Sequence, residues 1–196
     1  MRLYRIVGGN IEANGYIISL KDGGDAWIID PGFDRKKYLA YLKEHKLNPL
    51  GILLTHHHYD HADEAVWLRR ELEIPVYIQR EELSYYKGAA DKVLEGGEVL
   101  MLGDEEIHVL HTPGHTAGGL CFYLPKSKVC FTGDTIFNVD LGYTHFPGGS
   151  AERMRDSLKN VVNTWGNDIT IYPGHGDPAS MKYVRAVNTE FLEMIQ

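Results

Sequence analysis

The stretch Thr55-His56-His57-His58-Tyr59-Asp60-His61 follows the apolar run Gly51–Leu54, which predicts a short buried strand. Side chains of extended backbone alternate, so His56 and His58 point to one side of the chain and His57 to the other. Two imidazoles on one side are suited to bind one metal ion. The aspartate and histidine that follow can face a second ion, as hydrolytic sites with two metals about 3.5–4 Å apart require.

Three further β-like apolar runs end in a turn that carries a histidine or an aspartate. Proline and glycine stop such strands and supply the tight turn. A fourth run, Trp27–Ile29, ends in Asp30-Pro31-Gly32 and has the same form without a histidine. Because these strand ends can gather at one edge of stacked sheets, we expect them to share one site. The three turns are Thr112-Pro113-Gly114-His115, Gly133-Asp134-Thr135 and Pro173-Gly174-His175.

The motif His-x-His-x-Asp-His, followed by a single downstream histidine, aspartate and histidine, resembles the metallo-β-lactamase superfamily. The gaps of 54 residues from His61 to His115, 19 to Asp134 and 41 to His175 are similar to the compact glyoxalase II-like (hydroxyacylglutathione hydrolase-like) branch. The likeness runs from about Asn14 to His175. It implies an α/β fold, the αββα sandwich, in which two mixed β-sheets are flanked by helices.

The resemblance also implies a ligand set for two divalent metal ions. Taken singly, each residue has a simpler explanation; Asp60, for example, could cap the following helix. Seven such residues in the expected order favour a metal site. Zinc is the expected metal, with iron or manganese as alternatives, because histidine and aspartate accept all three. The implied ligands are His56, His58 and His115 on the first metal, Asp60, His61 and His175 on the second, and Asp134 as the bridge.

The expected reaction is hydrolysis by a metal-bound hydroxide, because a divalent metal lowers the pKa of bound water to around 7. Asp60 is the expected catalytic residue, since a ligand of the second ion can also orient that hydroxide. No separate general acid stands out in the sequence. A thiolate leaves without protonation more readily than an amine, so we expect a thioester substrate such as a hydroxyacylglutathione.

Three other functions stay open at this point. A persulfide dioxygenase resembles the same ligand order but uses one iron, which His58, His115 and Asp134 would hold. The absence of arginine after Gly142 and the intact second ligand group argue against it. Lactone or β-lactam hydrolysis uses the same two metals. A noncatalytic metal-binding module is disfavoured, because structural zinc sites are closed and tetrahedral.

Substrate contacts are expected on two segments outside the ligand set. Leu141–Gly149 is a turn-rich loop soon after the bridging aspartate, and loops on a rigid scaffold commonly carry specificity. The second segment follows His175 and resembles the corresponding segment of full-length glyoxalase II enzymes. The candidate substrate-binding residues are Tyr143 and His145 in the loop, and Lys182, Tyr183 and Arg185 in the second segment.

The composition indicates one domain over residues 1–196, with 43% hydrophobic residues and no linker or low-complexity tract. No run approaches the ~20 apolar residues of a membrane helix, and no signal peptide precedes the first strand, so a cytoplasmic location without membrane contact is expected. The net charge of −7 argues against nucleic acid as a partner and favours a small-molecule substrate. Cys121 and Cys130 are expected to be buried free thiols. The oligomeric state stays open.

Hydrophobic periodicity predicts the helices and strands. Short strands are expected near the amino terminus, before the histidine-rich stretch and from Val99 to Phe131, with further strands at Val76–Gln79 and Ile169–Tyr172. Longer amphipathic segments predict four helices. These are Asp34–Lys46, His61–Leu72, Ala151–Asn163 and Met181–Met194.

Overall fold

Two six-stranded β-sheets form the centre of the protein, a computed structural model that describes residues 1–196. In the first sheet, the strands lie side by side in chain order. They are β1 (Arg2–Gly8), β2 (Ala13–Ser19), β3 (Asp25–Ile29), β4 (Asn48–Leu53), β5 (Val76–Gln79) and β6 (Lys92–Leu94). The pairs β1–β2 and β2–β3 are antiparallel, whereas the remaining pairs are parallel, so the sheet is mixed.

The second sheet is also mixed and follows chain order from its other edge. Its strands are β7 (Val99–Leu102), β8 (Glu105–His111), β9 (Leu120–Leu124), β10 (Val129–Gly133), β11 (Thr170–Pro173) and β12 (Ala179–Ser180). Only β10 and β11 pair in parallel. In each sheet, a parallel pair therefore carries neighbouring strand ends to the same edge.

Helices cover the outer faces of both sheets. They are α1 (Arg35–Glu44), α2 (Tyr59–Ala62), α3 (Ala65–Leu72), α4 (Ala151–Asn160), α5 (Met181–Val187) and α6 (Thr189–Met194), with 3₁₀ turns at Arg80–Ser84 and Val162–Thr164. The predicted sandwich of two mixed sheets between helices is confirmed. No helix combines the length and the apolar character that crossing a bilayer requires.

Three separate apolar cores hold these four layers together, and the alternation of the strands explains them. In β2, Ile17 faces the core under α1 and α3, while Ile18 faces the core between the sheets. In β9, Phe122 faces the core between the sheets, while Cys121 faces the core under α4 to α6. Both sheets are thus buried on both faces. The two cysteines are buried free thiols, as predicted.

The helix predicted over His61–Leu72 is instead two helices, α2 and α3. The Glu64 N–H donates to the Pro31 carbonyl at 3.0 Å, so it does not bond the Asp60 carbonyl one turn back. Gly32 packs directly on that carbonyl, where a Cβ atom would overlap the Asp60 oxygen. The turn after β3 therefore interrupts the helix and fixes the position of α2.

The helix predicted over Met181–Met194 is also two helices, which meet at Asn188. The backbone of Asn188 is not helical (φ −81°, ψ 92°), and its side chain is completely buried. Its Oδ1 accepts the Phe191 N–H at 2.9 Å, and its Nδ2 donates to the carbonyls of Phe137 (3.2 Å) and Asp140 (2.9 Å). One side chain thus caps α6 and anchors the loop after β10.

We expect Asn188→Ala to lower the free energy of unfolding by about 2–3 kcal/mol, because a helix cap is worth about 1 kcal/mol and each carbonyl bond about as much. Ser180→Ala is the matched control. Ser180 caps α5 through the Tyr183 N–H alone, so its loss should cost only about 1 kcal/mol. Urea unfolding followed by tryptophan fluorescence measures both. Equal losses would show that Asn188 acts as a cap and nothing more.

Candidate metal centre

The structure brings all seven predicted ligands together at one edge of the two sheets. They come from four loops, each of which leaves the carboxyl end of a strand: β4, β8, β10 and β11. Because β10 and β11 run in parallel, the turn with Asp134 and the turn with His175 lie side by side. Gly174 is required between them, since a Cβ atom there would overlap Asp134 Oδ1.

The first ligand group consists of His56, His58 and His115. One ring nitrogen from each lies within 4.8 Å of the others. His58 Nδ1 and His115 Nε2 are 2.9 Å apart. His56 Nε2 is buried and has no hydrogen-bond partner, although its Nδ1 lies 3.0 Å from Thr55 Oγ1. A buried, unpartnered nitrogen beside two others is the arrangement that a metal ion would complete.

The second group consists of Asp60, His61 and His175. Asp60 Oδ2 lies 3.1 Å from His61 Nε2 and 3.2 Å from His175 Nε2, and the two nitrogens are 3.3 Å apart. Asp60 and His61 lie on α2, which the turn after β3 holds in place. A carboxylate with two imidazoles is a common donor set for zinc and iron.

Asp134 lies between the two groups. Its Oδ2 is 3.5 Å from His115 Nε2 in the first group and 3.5 Å from His175 Nε2 in the second. Its Oδ1 is 3.4 Å from His61 Nε2 and has no hydrogen-bond partner, although it is buried. This carboxylate is therefore placed to be shared by ions in both groups.

In His115 and His175, the hydrogen bond made by Nδ1 shows that Nε2, which faces the site, carries the lone pair. His115 Nδ1 donates to the Tyr143 carbonyl at 2.6 Å, and His175 Nδ1 donates to the Ile11 carbonyl at 3.0 Å. A carbonyl can only accept, so in each neutral ring the proton is on Nδ1 and Nε2 has a free lone pair. Both lone pairs face the oxygens of Asp134. Acceptors that face each other at this distance need a proton or a metal ion between them, and histidine with aspartate is a donor set that fits metal ions.

The pKa directions show the same demand for positive charge. Burial alone would lower the pKa of His61, but the Asp134, Asp30 and Asp60 carboxylates raise it well above its usual value. Burial likewise opposes the rise at His175, yet the carboxylates of Asp134 and Asp60 raise its pKa to about 9. Without metal, this half of the site therefore attracts protons. Metal ions would take their place.

The first group lacks that acidic surrounding. Burial and the neighbouring imidazoles lower the pKa of His56 well below its usual value. Burial, followed by His115 and His57, lowers the pKa of His58 to about 4. Neutral imidazole is the form that binds a metal, so these side chains present lone pairs at ordinary pH.

Asp30 supports the site and was not among the predicted residues. Its carboxylate accepts the Thr55 N–H at 2.7 Å and the Thr55 hydroxyl at 2.5 Å, and lies 3.4 Å from His61 Nδ1. It therefore lies directly behind a ligand ring, although His61 Nδ1 makes no hydrogen bond to it. Its backbone has a positive φ of 47°, unusual for a residue other than glycine. The turn Asp30-Pro31-Gly32 was the sequence signal for it.

Glu82 was missed as well, and no motif surrounds it. It lies in the 3₁₀ turn Arg80–Ser84 and is completely buried. Its carboxylate accepts the His57 N–H at 2.8 Å and the Gly118 N–H at 2.7 Å, and it also contacts the His57 ring. The outer face of that ring stacks on Tyr85, with centroids 4.8 Å apart. His57 thus points away from the ligand groups and bonds within the fold, as predicted.

A cavity of about 510 Å³ opens onto both ligand groups. Tyr143, a candidate substrate-binding residue, lines it, and so does Phe146, which the sequence analysis did not single out. The ligand residues form the polar part of the lining. The rest of the wall is largely apolar and consists of Ile11, Tyr59, Phe137, Leu141, Tyr143 and Phe146, with Asp140 and Gly142 between them.

The structure places the other predicted substrate residues outside this cavity. His145 is absent from this lining and lines an adjoining groove that shares Tyr143, although its ring lies 4.6 Å from the Phe146 ring and 5.3 Å from the Tyr143 ring. Arg185 bonds Asn167 Oδ1 at 2.7 Å and the Trp165 carbonyl at 2.7 Å, because α5 directs it towards the end of α4. Lys182 and Tyr183 are exposed on the same helix and do not reach the cavity lining. Their placement does not support a substrate contact.

Known proteins share this sequence pattern. The model of the metallo-beta-lactamase superfamily matches residues 9–175. The probable metallo-hydrolase YqgX of Bacillus subtilis is 31% identical over 193 residues, which cover 90% of each chain. The hydroxyacylglutathione hydrolase GloC of Haemophilus influenzae is 30% identical over 173 residues, which cover 79% of this chain and 82% of GloC.

Solved structures share the fold. The crystal structure of the B3 metallo-beta-lactamase BLEG-1 has a TM-score of 0.89 at 29% identity and covers 95% of this chain and 98% of its own. TTHA1623, crystallised in a di-iron-bound form, has a TM-score of 0.83 at 28% identity and covers 94% of this chain and 98% of its own. The relatives named as hydrolases support a metal-dependent hydrolase. This chain belongs to the metallo-beta-lactamase superfamily.

Proposed function

We propose that the protein is a hydrolase that uses two divalent metal ions to cleave a thioester. The observation that carries the proposal is the position of Asp134, whose Oδ2 lies 3.5 Å from a ring nitrogen of each ligand group. The similarity to GloC supports a thioester and makes a hydroxyacylglutathione the first substrate to test. Zinc is the metal that we expect. The similarity to TTHA1623 in its di-iron-bound form makes iron the main alternative.

The residues that would hold the ions are His56, His58 and His115 in one group, Asp60, His61 and His175 in the other, and Asp134 between them. When bound, such ions lower the pKa of bound water towards about 7 and polarise a substrate carbonyl. The protein contributes the fixed geometry. Hydrogen bonds to Tyr143 and Ile11 lock two of the rings in the tautomer that binds a metal.

Asp60 has a second role in this proposal. Burial would raise its pKa, but hydrogen bonds with His175 and His61 hold the pKa well below its usual range, so it is ionised. Its carboxylate also lines the cavity. An ionised carboxylate there can accept a hydrogen bond from the attacking water and orient it towards the substrate.

The cavity lining favours a leaving group that departs without a proton. No lysine or arginine lines it, and its three histidines belong to the ligand groups. A leaving amine would therefore find no lysine, arginine or unligated histidine there to give it a proton. A thiol ionises near pH 8.5, so a thiolate can leave unprotonated. This difference supports a thioester over an unstrained amide.

A second candidate is β-lactam hydrolysis, which the similarity to the B3 enzyme BLEG-1 favours. A mononuclear iron dioxygenase is less well supported. Its three ligands, His58, His115 and Asp134, would leave the buried pair Asp60 and His61 without a metal. Asp60, His61 and His175 form a complete ligand group, for which a mononuclear enzyme would have no use.

We expect protein loaded with zinc or iron to hold about two ions per chain and to hydrolyse thioesters, the count that a two-metal site implies. The test is a panel of S-lactoylglutathione, a lactone, a cephalosporin and glutathione persulfide, run with elemental analysis on the same sample. Fastest cleavage of the thioester supports the proposal. One iron per chain together with oxygen uptake on the persulfide would overturn it, and cleavage of the cephalosporin alone would favour the second candidate.

We expect mutations of the two carboxylates, Asp134 and Asp60, to have different effects on metal content and activity. Asp134→Ala should remove metal and activity together, because both groups lose their shared ligand. Asp60→Asn keeps an oxygen ligand but loses the charge, so it should retain most of the metal while kcat falls by about 10²–10³, the scale of a lost general base. Asp104→Asn is the control, since Asp104 is exposed and pairs only with Lys126. Wild-type kcat in Asp60→Asn at full metal content would contradict the orienting role.

A further inference from the structure

The wall of the cavity exposes an unusual amount of apolar surface. Tyr143 is 69% exposed, Tyr59 61%, Ile11 50% and Phe146 42%. Together with Phe137, these side chains form the aromatic wall of the cavity. Contiguous exposed apolar surface is a feature of ligand-binding grooves rather than of ordinary protein surface. We therefore expect an apolar group of the substrate to cover the aromatic wall.

The aromatic wall stands directly beside both ligand groups. The Phe146 ring meets the His58 ring edge-on at 5.6 Å and the His115 ring at 6.1 Å. On the other side, the Phe137 ring meets the His175 ring edge-on at 5.8 Å. A substrate whose carbonyl lies at the metal centre would thus press its neighbouring atoms against aromatic rings.

No basic side chain is available to pair with a carboxylate in this cavity. Lysine and arginine are absent from its lining, and its remaining charged group outside the ligand set is Asp140. Arg5, on β1, is engaged by Asp177 Oδ1 at 3.1 Å and by the Gly176 carbonyl at 3.3 Å. A thiol moiety such as glutathione, which carries two carboxylates, would find no lysine or arginine inside this cavity; Lys87 and Arg155 line adjoining grooves beside Tyr59 and Tyr143.

We infer that the substrate is an uncharged thioester with an apolar aryl or medium-length alkyl group beside the scissile carbonyl. The inference rests on the proposed thioester hydrolysis and specifies its substrate class. The apolar group would cover the aromatic wall, and the uncharged thiol moiety would need no cation. Affinity then comes from apolar area removed from water.

The experiment is a matrix of four thioesters: S-phenylacetyl and S-lactoyl groups, each on N-acetylcysteamine and on glutathione. Metal-loaded protein is assayed, and each kcat/KM is divided by the rate of alkaline hydrolysis of the same compound. We expect phenylacetyl-N-acetylcysteamine to exceed S-lactoylglutathione at least tenfold, a ratio that corresponds to about 1.4 kcal/mol. Activity that is highest on S-lactoylglutathione would overturn the inference and leave the proposed function standing. No hydrolysis of any thioester would overturn the proposed function itself.

The variant Phe146→Ala links the preference to the aromatic wall. It should lower the normalised preference for the phenylacetyl over the lactoyl group by about fivefold, the scale of a lost aromatic contact, with metal content unchanged. Trp67→Ala is the matched control, because Trp67 is 54% exposed on α3 and outside the cavity. Tyr143→Ala serves as a second variant if Phe146→Ala does not fold. An unchanged preference in the folded variants would overturn the inference.

A second inference concerns Glu82 and rests on separate contacts. Its carboxylate bonds His57, which lies between two ligands of the first group, and Gly118, which lies three residues after His115. Oε2 accepts the His57 N–H from one loop, and Oε1 accepts the Gly118 N–H from the other. A buried carboxylate is costly when a donor is lost, so these bonds resist separation of the two loops.

We propose that Glu82 is a positioning residue that holds the two loops of the first ligand group at their spacing. In Glu82→Gln, the side-chain NH₂ would face a backbone N–H, so one of the two bonds must break. Affinity for a divalent metal should then fall by about 10–100-fold, as it does when support behind a ligand is lost. Chelator competition with cobalt-loaded protein measures this, and the cobalt absorption spectrum should shift.

Glu105→Gln is the matched control for Glu82→Gln. Glu105 is also buried and accepts the Lys126 N–H at 3.0 Å and the Ser127 hydroxyl at 2.7 Å, in a turn away from the ligands. It should lose a similar free energy of unfolding with wild-type metal affinity and spectrum. If Glu82→Gln does not fold, His57→Gln removes the ring contact alone and should weaken metal binding several-fold. Metal affinity that is unchanged in these variants, or equally weakened in Glu105→Gln, would overturn the proposal.

Discussion

The structure depends on keeping groups together that would separate in water. Asp134 faces the lone pairs of His115 and His175 at 3.5 Å, and both rings are fixed by main-chain carbonyls that leave those lone pairs inward. In the neutral rings, only a proton or a metal ion between the groups relieves this opposition. The rest of the fold must hold the groups at this spacing, and three apolar cores supply the stability that this requires.

Hydrogen bonds between the two sheets hold the turn that carries His175 in place. Asn14 Nδ2 donates to the Pro173 carbonyl at 3.0 Å, and the Tyr16 hydroxyl donates to the same carbonyl at 2.6 Å. Both donors lie on β2, whereas Pro173 ends β11 in the other sheet. The turn that carries His175 is thus tied to the first sheet as well as to its own. Two rigid layers, not one flexible loop, set the spacing of the ligands.

The sequence predicted what is local and missed what is long-range. The ligands could be found because each follows a strand within a short turn whose residues are visible together. Glu82 could not, because its partners lie 25 and 36 residues away and no pattern links them. Arg185 was misplaced for a related reason: its partners, Asn167 and the Trp165 carbonyl, lie 18 and 20 residues away, and no local pattern shows them. A helical period cannot show which face a neighbouring layer will cover.

Tyr143 shows how the chemistry and the substrate can vary separately in this fold. Its carbonyl accepts the Nδ1 proton of His115, a contact that any residue at this position would make. Its ring, in contrast, is largely exposed on the aromatic wall and takes no part in holding a ligand. The main chain of the loop supports a ligand of the metal centre, while its side chains line the cavity. A TM-score of 0.89 to a β-lactamase therefore shows a shared fold and leaves the substrate open, because the side chains that line the cavity are not part of what the fold conserves.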